Sequence, residues 1–401
     1  MNKLQITFLL ILISHFSFGQ WNQQNSGTSN TLTDIHLLNQ DTVLVSGINT
    51  ILRTFDGGQN WAKTSLTSIF LEGIVFSNDS CAFGVGYNLD SSKSTIFSSI
   101  DYGISWTQNI IPFTSSLKDV FFVSSNIGFC VGTGGTILKT MDAGLNWNLL
   151  SSGTNQGLMS VFFTDSVNGT IVGGGIRNPL ILRTTDGGIN WLLNDSIGTN
   201  LLQSVFYPTP NIGYIVGWDG QVFRTDDGGI NWTSKQSVQN QGNLDVFFVN
   251  DSIGYIAGGN PDSAYIKKTI NSGDSWQTYN AKAAPGMVAI HFASNNIGYC
   301  VGSDGLILKT TVAGELNVET LENNVSLKVF PNPSLNYLQI SYENCSDKLE
   351  VSIVDLIGKV YIQNLSIENN SRIDLSNLIP QQYIVIIKNG AGISRTKILK
   401  M

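Results

Sequence analysis

Thr184-Thr185-Asp186-Gly187-Gly188-Ile189-Asn190-Trp191 is one copy of a cassette, Thr-x-Asp-x-Gly-x-x-Trp, that recurs along the chain at intervals of 41 to 45 residues. The other copies are Thr54–Asp56–Gly58–Trp61, Ser99–Asp101–Gly103–Trp106, Thr140–Asp142–Gly144–Trp147, Thr225–Asp227–Gly229–Trp232 and Thr269–Asn271–Gly273–Trp276. A decayed seventh follows at Thr310–Val312–Gly314. A period in the 40s, with several short strands per unit, is the mark of a β-propeller. In the third repeat, residues 116–123, 128–132, 136–140 and 147–150 read as four strands, alternating runs broken by Gly, Asn and Asp. The second-strand signature ends at Gly47, Gly86, Gly132, Gly173, Gly217, Gly258 and Gly302, which predicts seven blades.

The last copy lacks its tryptophan, while an unpaired one, Trp21, stands one repeat ahead of Trp61. Residues 21 to about 30 are therefore expected to supply the outer strand of the seventh blade and zip the ring shut, leaving no exposed edge. The cassette itself reads as structural. Asp56, Asp101, Asp142, Asp186, Asp227 and Asn271 can accept hydrogen bonds from turn amides, the glycine can take a positive φ, and the tryptophan covers a blade face.

Length variation is confined to one loop. From each cassette Asp or Asn to the next second-strand glycine the distance is 30 or 31 residues, whereas from that glycine to its own cassette it runs from 9 to 15. The variable segment is the hairpin between second and third strands, and insertions restricted to one face often mark a binding face. The long hairpins are Tyr87–Ser94, Gly174–Pro179 and Gly259–Ala264, and blade five adds Trp218, the single tryptophan outside a repeat position. Candidate binding residues on this face are Tyr87, Asp90, Arg177, Trp218, Asp219, Asn260, Asp262 and Tyr265. A second pattern precedes the cassette: Arg53, Lys139, Arg183, Arg224, Lys268 and Lys309 place a cation there in six of seven repeats. Each could pair with an acid or carbonyl of a neighbouring blade, or the six could form a basic ring for an acidic partner.

Only 13% of the 401 residues are charged, and the net charge of −7 argues against general nucleic-acid binding. Cys130 and Cys300 occupy the same place in two non-adjacent repeats, and Cys81 and Cys345 lie in different modules, so buried, unpaired thiols are expected. Lys3, the apolar run from Ile6 to Ile13 and Ser17-Phe18-Gly19 read as a secretion signal over residues 1–19. The run is too short to span a bilayer, so no transmembrane segment is expected in the mature chain. No metal site or Ser-His-Asp arrangement is recognisable: His15 lies in the signal, and His36 and His291 fall on first strands. No cofactor is expected, and the protein is read as a monomer.

The cassette, preceded by Leu-Arg-Thr or Leu-Lys-Thr, resembles the BNR/Asp-box propellers, and among them the photosystem II assembly/stability factor-like family, over roughly residues 20–314. That resemblance implies partner-protein binding without catalysis. After a polar linker, 315–326, a different module opens with Leu327-Lys328-Val329-Phe330-Pro331-Asn332-Pro333. Its alternating apolar strands suggest a small immunoglobulin-like β-sandwich over 327–401. The motifs of this tail look like a type IX secretion C-terminal sorting domain of type A, departing from that pattern at Gln381, where the family has Gly. The resemblance implies delivery by the type IX machinery, removal of the tail, and a propeller released or attached at the outer surface. The expected function is binding of an extracellular protein or glycan. An Asp-box glycoside hydrolase is the alternative. Against a sialidase stand the missing Arg-Ile-Pro motif, arginines at repeat positions and Glu72 as the sole glutamate of the propeller. Against a xyloglucanase stands the presence of one propeller rather than two.

Overall fold

The computed structural model describes residues 21–194, 197–236, 241–260, 263–281, 286–294, 296–311, 326–343, 349–355, 360–389 and 392–400. The expected signal peptide and nearly all of the expected linker lie outside them. The chain divides into two compact units after Gly314.

The first unit is a ring of seven antiparallel four-stranded blades. Blade three consists of Leu117–Phe122, Gly128–Gly132, Thr136–Thr140 and Asn148–Leu150, within a residue of the expected limits. In blade one the second and third strands run on as Val43–Thr54, turned at Asn49 with φ 55°. Ala62–Phe76 serves both as the outer strand of blade one and the inner strand of blade two.

The recurrent second-strand glycine has a steric cause. Each first strand carries a bulge two residues before the pairing settles, as between Leu117 and Asp119. The bulge drives a carbonyl against the facing glycine, so a Cβ on Gly132 would collide with the Ser116 carbonyl oxygen and one on Gly86 with that of Phe70. Blades then pack through apolar layers such as Phe129, Val131, Ile137, Leu158, Val161 and Phe163. Here Phe129 stacks on Phe163 at 4.1 Å and Trp191 meets Phe163 edge-on.

The seventh blade is shared between the two ends of the propeller. Trp21–Gln24 pairs antiparallel with Ile307–Thr310, in register Trp21↔Thr310 to Gln24↔Ile307. Trp21 is 8% exposed and sits edge-on to Phe292 at 6.0 Å and Tyr255 at 6.4 Å.

The second unit has a three-stranded sheet, Ser326–Phe330, Tyr337–Glu343 and Ser371–Asp374. Its four-stranded sheet runs in the order Val360–Ile367, Leu349–Asp355, Gln382–Asn389, Gly392–Leu399. Leu338, Ile340, Val351, Ile353, Tyr383 and Val385 fill the core between them, the arrangement of a small β-sandwich. No helix among the described residues is long and apolar enough to cross a membrane.

Trp21→Ala should lower propeller stability by about 3–5 kcal/mol in denaturant titration, since it empties a buried aromatic site at the ring's closure. An unchanged midpoint would show that the first strand is dispensable.

Candidate functional site

The cassette turns are hydrogen-bond knots. In blade three the Thr140 hydroxyl donates to Asp142 Oδ1 at 2.9 Å and accepts the amides of Asp142 and Gly144. The Asp142 carboxylate then accepts the backbone and side-chain N–H groups of Asn146. The same pattern surrounds Asp56, Asp101, Asp186 and Asp227, whereas Asn271 accepts the Ser275 amide but donates its Nδ2 to the Ser275 hydroxyl. Hydrogen bonds from Asn60 and Asn190 pull Asp56 and Asp186 down to about 2, and those from Ser105 do so for Asp101. A carboxylate held this way is a poor proton carrier, and its place in the turn accounts for its recurrence.

Five of the six cations before the cassettes reach across blade interfaces. Arg53 donates to the Gly103 carbonyl, Lys139 to Gly187, Arg183 to Gly228, Arg224 to Ser272 and Lys309 to Gly57, at 2.6 to 3.2 Å. Each acceptor lies in the next blade's cassette turn, and Lys309 completes the circuit from blade seven to blade one. Lys268 is buried, with its ammonium 5.5 Å from the Tyr255 ring centre. These positive charges are engaged within the fold, where they cap carbonyls that the tight turns leave without strand partners.

The hairpins lie at the other end of each third strand, on the opposite face. Asp90 and Arg177 are exposed at their tips, Arg177 with φ 59°, and Ile176 beside it is 83% exposed. Tyr87 is half-buried in the ladder, opposite Ser94. Trp218 is 49% exposed, and its backbone bridges to Gly242 of the next blade. Asp219 accepts a hydrogen bond from Asn200 Nδ2 at 3.1 Å. Asn260 pairs with Ser263 at the strand end, and Asp262 lies outside the described residues. Tyr265, expected at the surface, is instead 1% exposed, because its strand position points into the interface between blades five and six. Trp218, Asp219 and Tyr265 thus gather at one interface, while the blade-two and blade-four tips stand on blades of their own.

That interface holds residues the sequence reading missed. Lys267 is 1% exposed, with its ammonium 3.2 Å from Asn243 Oδ1 and 4.7 Å from the Tyr265 ring centre. The Tyr265 hydroxyl lies 2.9 Å from both Asn243 Oδ1 and the Gly242 carbonyl, and Asn243 Nδ2 donates to the Gln221 carbonyl. At Lys267's place the other blades have Leu52, Phe97, Leu138, Leu182, Phe223 and Leu308, and at Asn243's they have leucine or methionine. Aligning the repeats would have exposed both exceptions. Burial lowers the Lys267 ammonium to about 8.

Comparison with known proteins agrees with this architecture. Residues 328–401 match the family model of the secretion system C-terminal sorting domain. Residues 100–195 match that of the photosynthesis system II assembly factor YCF48. The propeller resembles YCF48. A solved YCF48 structure described as bound to D1 peptide superposes with a TM-score of 0.61 at 19% identity, covering 75% of this chain and 100% of that one. YCF48 from Cyanidioschyzon merolae gives 0.60 at 20%, covering 73% and 98%. The WD40 propeller domain of Doa1 gives 0.57 at 11%, covering 72% and 96%. At these identities the likeness is one of fold. No curated protein matches the sequence. The sorting tail makes this YCF48-like propeller a secreted or cell-surface protein served by the type IX machinery.

Replacing Lys267 and Asn243 together by Leu restores the packing of the other blades. Because the folded-state pKa of Lys267 lies below the ordinary 10.5, its penalty is fully present below about pH 8 and vanishes above 10.5. The double variant should therefore gain roughly 3 kcal/mol at pH 7, a gain that shrinks on titration toward pH 10.5. A pH-independent difference would show that the charge is not the source.

Proposed function

We propose that this protein is a secreted binding module whose hairpin face recognises an extracellular protein or glycan. The observation that carries this reading is the length variation confined to the hairpin face, since exposed apolar side chains such as Phe55, Ile100 and Leu145 stand in the cassette turns as well. On the cassette side the cations are engaged with carbonyls of the next blade, whereas Asp90, Ile176, Arg177 and Trp218 extend from the hairpins. A large aromatic left half-exposed beside charged tips is the composition of recognition surfaces. That a similarly folded YCF48 has been solved bound to a D1 peptide supports a peptide as one such ligand. On this reading the chain is a monomer, the tail is removed after delivery, and the propeller is released or fixed to the outer surface.

Shortening 87–94 to a tight turn together with Trp218→Ala should abolish binding to isolated outer-surface polysaccharide or protein, measured by calorimetry. Trp218→Ala should change stability by only about 0.5 kcal/mol because its ring is half-exposed, whereas the hairpin change removes the ladder pairs Tyr87↔Ser94 and Asn88↔Lys93, so its folding is checked by thermal melting alongside the binding measurement. Affinity that ignored these changes, yet fell on replacing Arg53, Lys139 and Arg224 with Gln and fell steeply with salt, would move the site to the cassette face.

Deleting residues 327–401 should hold the propeller in the periplasm of a host with the type IX system, read by cell fractionation. Normal delivery without the tail would refute its sorting role.

A further inference from the structure

The seven first strands neighbour one another around the propeller axis, and their alternate side chains line an axial channel. Ile35 and Leu37 point into the interface with blade seven, and Asp34 and His36, on the strand's other side, reach the first strand of blade two, where Asp34 accepts the Ile74 amide. One position per blade forms a collar: His36, Val75, Phe121, Phe162, Phe206, Phe247 and His291, each four residues after the leucine, asparagine or methionine that faces the second-strand glycine. Six of these seven are rings in an unbroken succession. Centroid distances are 4.9 Å for Phe121–Phe162, 5.3 Å for Phe162–Phe206 and 4.7 Å for Phe206–Phe247. They are 4.6 Å for both Phe247–His291 and His291–His36. All six rings keep part of their surface open, while Val75, the seventh member, is buried between blades two and three.

Two residues earlier on each strand, toward the hairpin face, lies a second layer. It carries Asp34, Asp119 and Asp245, separated by the small Gly73, Ser160, Ser204 and Ala289. Each carboxylate accepts an amide of the next blade, Asp34 from Ile74, Asp119 from Val161 and Asp245 from Ile290, at 2.7 to 2.8 Å. These bonds staple blade to blade but supply no positive charge. Among the described residues none of the three forms an ion pair, and the nearby Lys118 is taken by Glu72 at 2.6 Å. The carboxylates also repel one another: burial foremost, then Asp119 and Asp245, drives Asp34 well above the usual carboxylate range. The two imidazoles are held neutral by burial, His36 at about 4, so the collar adds no cation of its own.

We propose that the axial channel binds a small organic ammonium ion, seated against the aromatic collar and neutralising the carboxylate layer above it. Ring faces attract a desolvated cation, and best when it is weakly hydrated and surrounded on several sides. Asp245, pushed up to about 6, keeps its charge at neutral pH and supplies the long-range attraction at one end of the collar. The ligand and site are distinct from those of the hairpin face, and the test does not depend on that reading.

The probes are choline, tetramethylammonium and 1,4-diaminobutane, titrated into the purified full-length chain by calorimetry and saturation-transfer NMR. The control is 3,3-dimethyl-1-butanol, the neutral isostere of choline. At least one ammonium should bind, and choline roughly tenfold or more tighter than its isostere. Phe206→Leu with Phe247→Leu should lose about tenfold, and Asp119→Asn, which keeps shape while removing charge, should lose several-fold. Failure of all three ammonium ions to bind, equal affinity for choline and its isostere, or binding indifferent to the ring substitutions would overturn the proposal. If the double ring variant does not fold, Asp119→Asn and Asp245→Asn decide, and unchanged affinity in both refutes the site.

Discussion

A sheet edge exposes unpaired amides and carbonyls, and a ring of blades removes its edges only when the last blade is finished by the chain's other end. Here four residues, Trp21–Gln24, lie against Ile307–Thr310 and carry that closure. Everything else in the propeller presupposes it. The first strands line a channel because the ring is shut, and Lys309 reaches the Gly57 carbonyl because blade seven and blade one are neighbours. Tyr299 makes the same crossing, its hydroxyl donating to that carbonyl at 2.7 Å. The strand pairing inside blade seven and the two bonds that converge on the Gly57 carbonyl across the seam together hold the closure.

Around this ring the repeat uses one device per blade end. At the cassette end, a threonine or serine hydroxyl and a carboxylate tie the turn, and a cation from the preceding blade caps a turn carbonyl. At the axis, an aspartate or serine takes an amide of the next first strand. Where both devices occur, as between blades one and two, three and four, and four and five, adjacent blades are locked at both radii by directional bonds, with the non-directional apolar layers between. Ser98 of blade two stands where the others have a cation, so that interface relies on its apolar layer and the ion pair of Glu72 with Lys118.

The fold was legible because its cause is periodic. Gly132 recurs as a glycine because a carbonyl packs on its Cα, and Asp142 recurs because its turn needs an acceptor, so each leaves a mark seven or six times over. The site was legible only in part, because specificity lies in departures from the period. Trp218 stood out as an extra tryptophan, and the structure leaves it half-exposed. Tyr265 looked like its companion in sequence, but strand alternation turned it inward onto Asn243. Lys267 was hidden by the six cations that follow a pattern one residue later.

The sequence by itself determined the number of blades, the place of each turn, the shared seventh blade and the β-rich character of the tail, since all of these follow from spacing and local turn chemistry. Only the tertiary structure decided where charge resides. Whether Arg53 faces solvent or the Gly103 carbonyl, and whether Asp34, Asp119 and Asp245 share one channel, depends on contacts between residues about 40 to 210 positions apart. Local propensity carries no information across such separations; the closing of the ring supplies it.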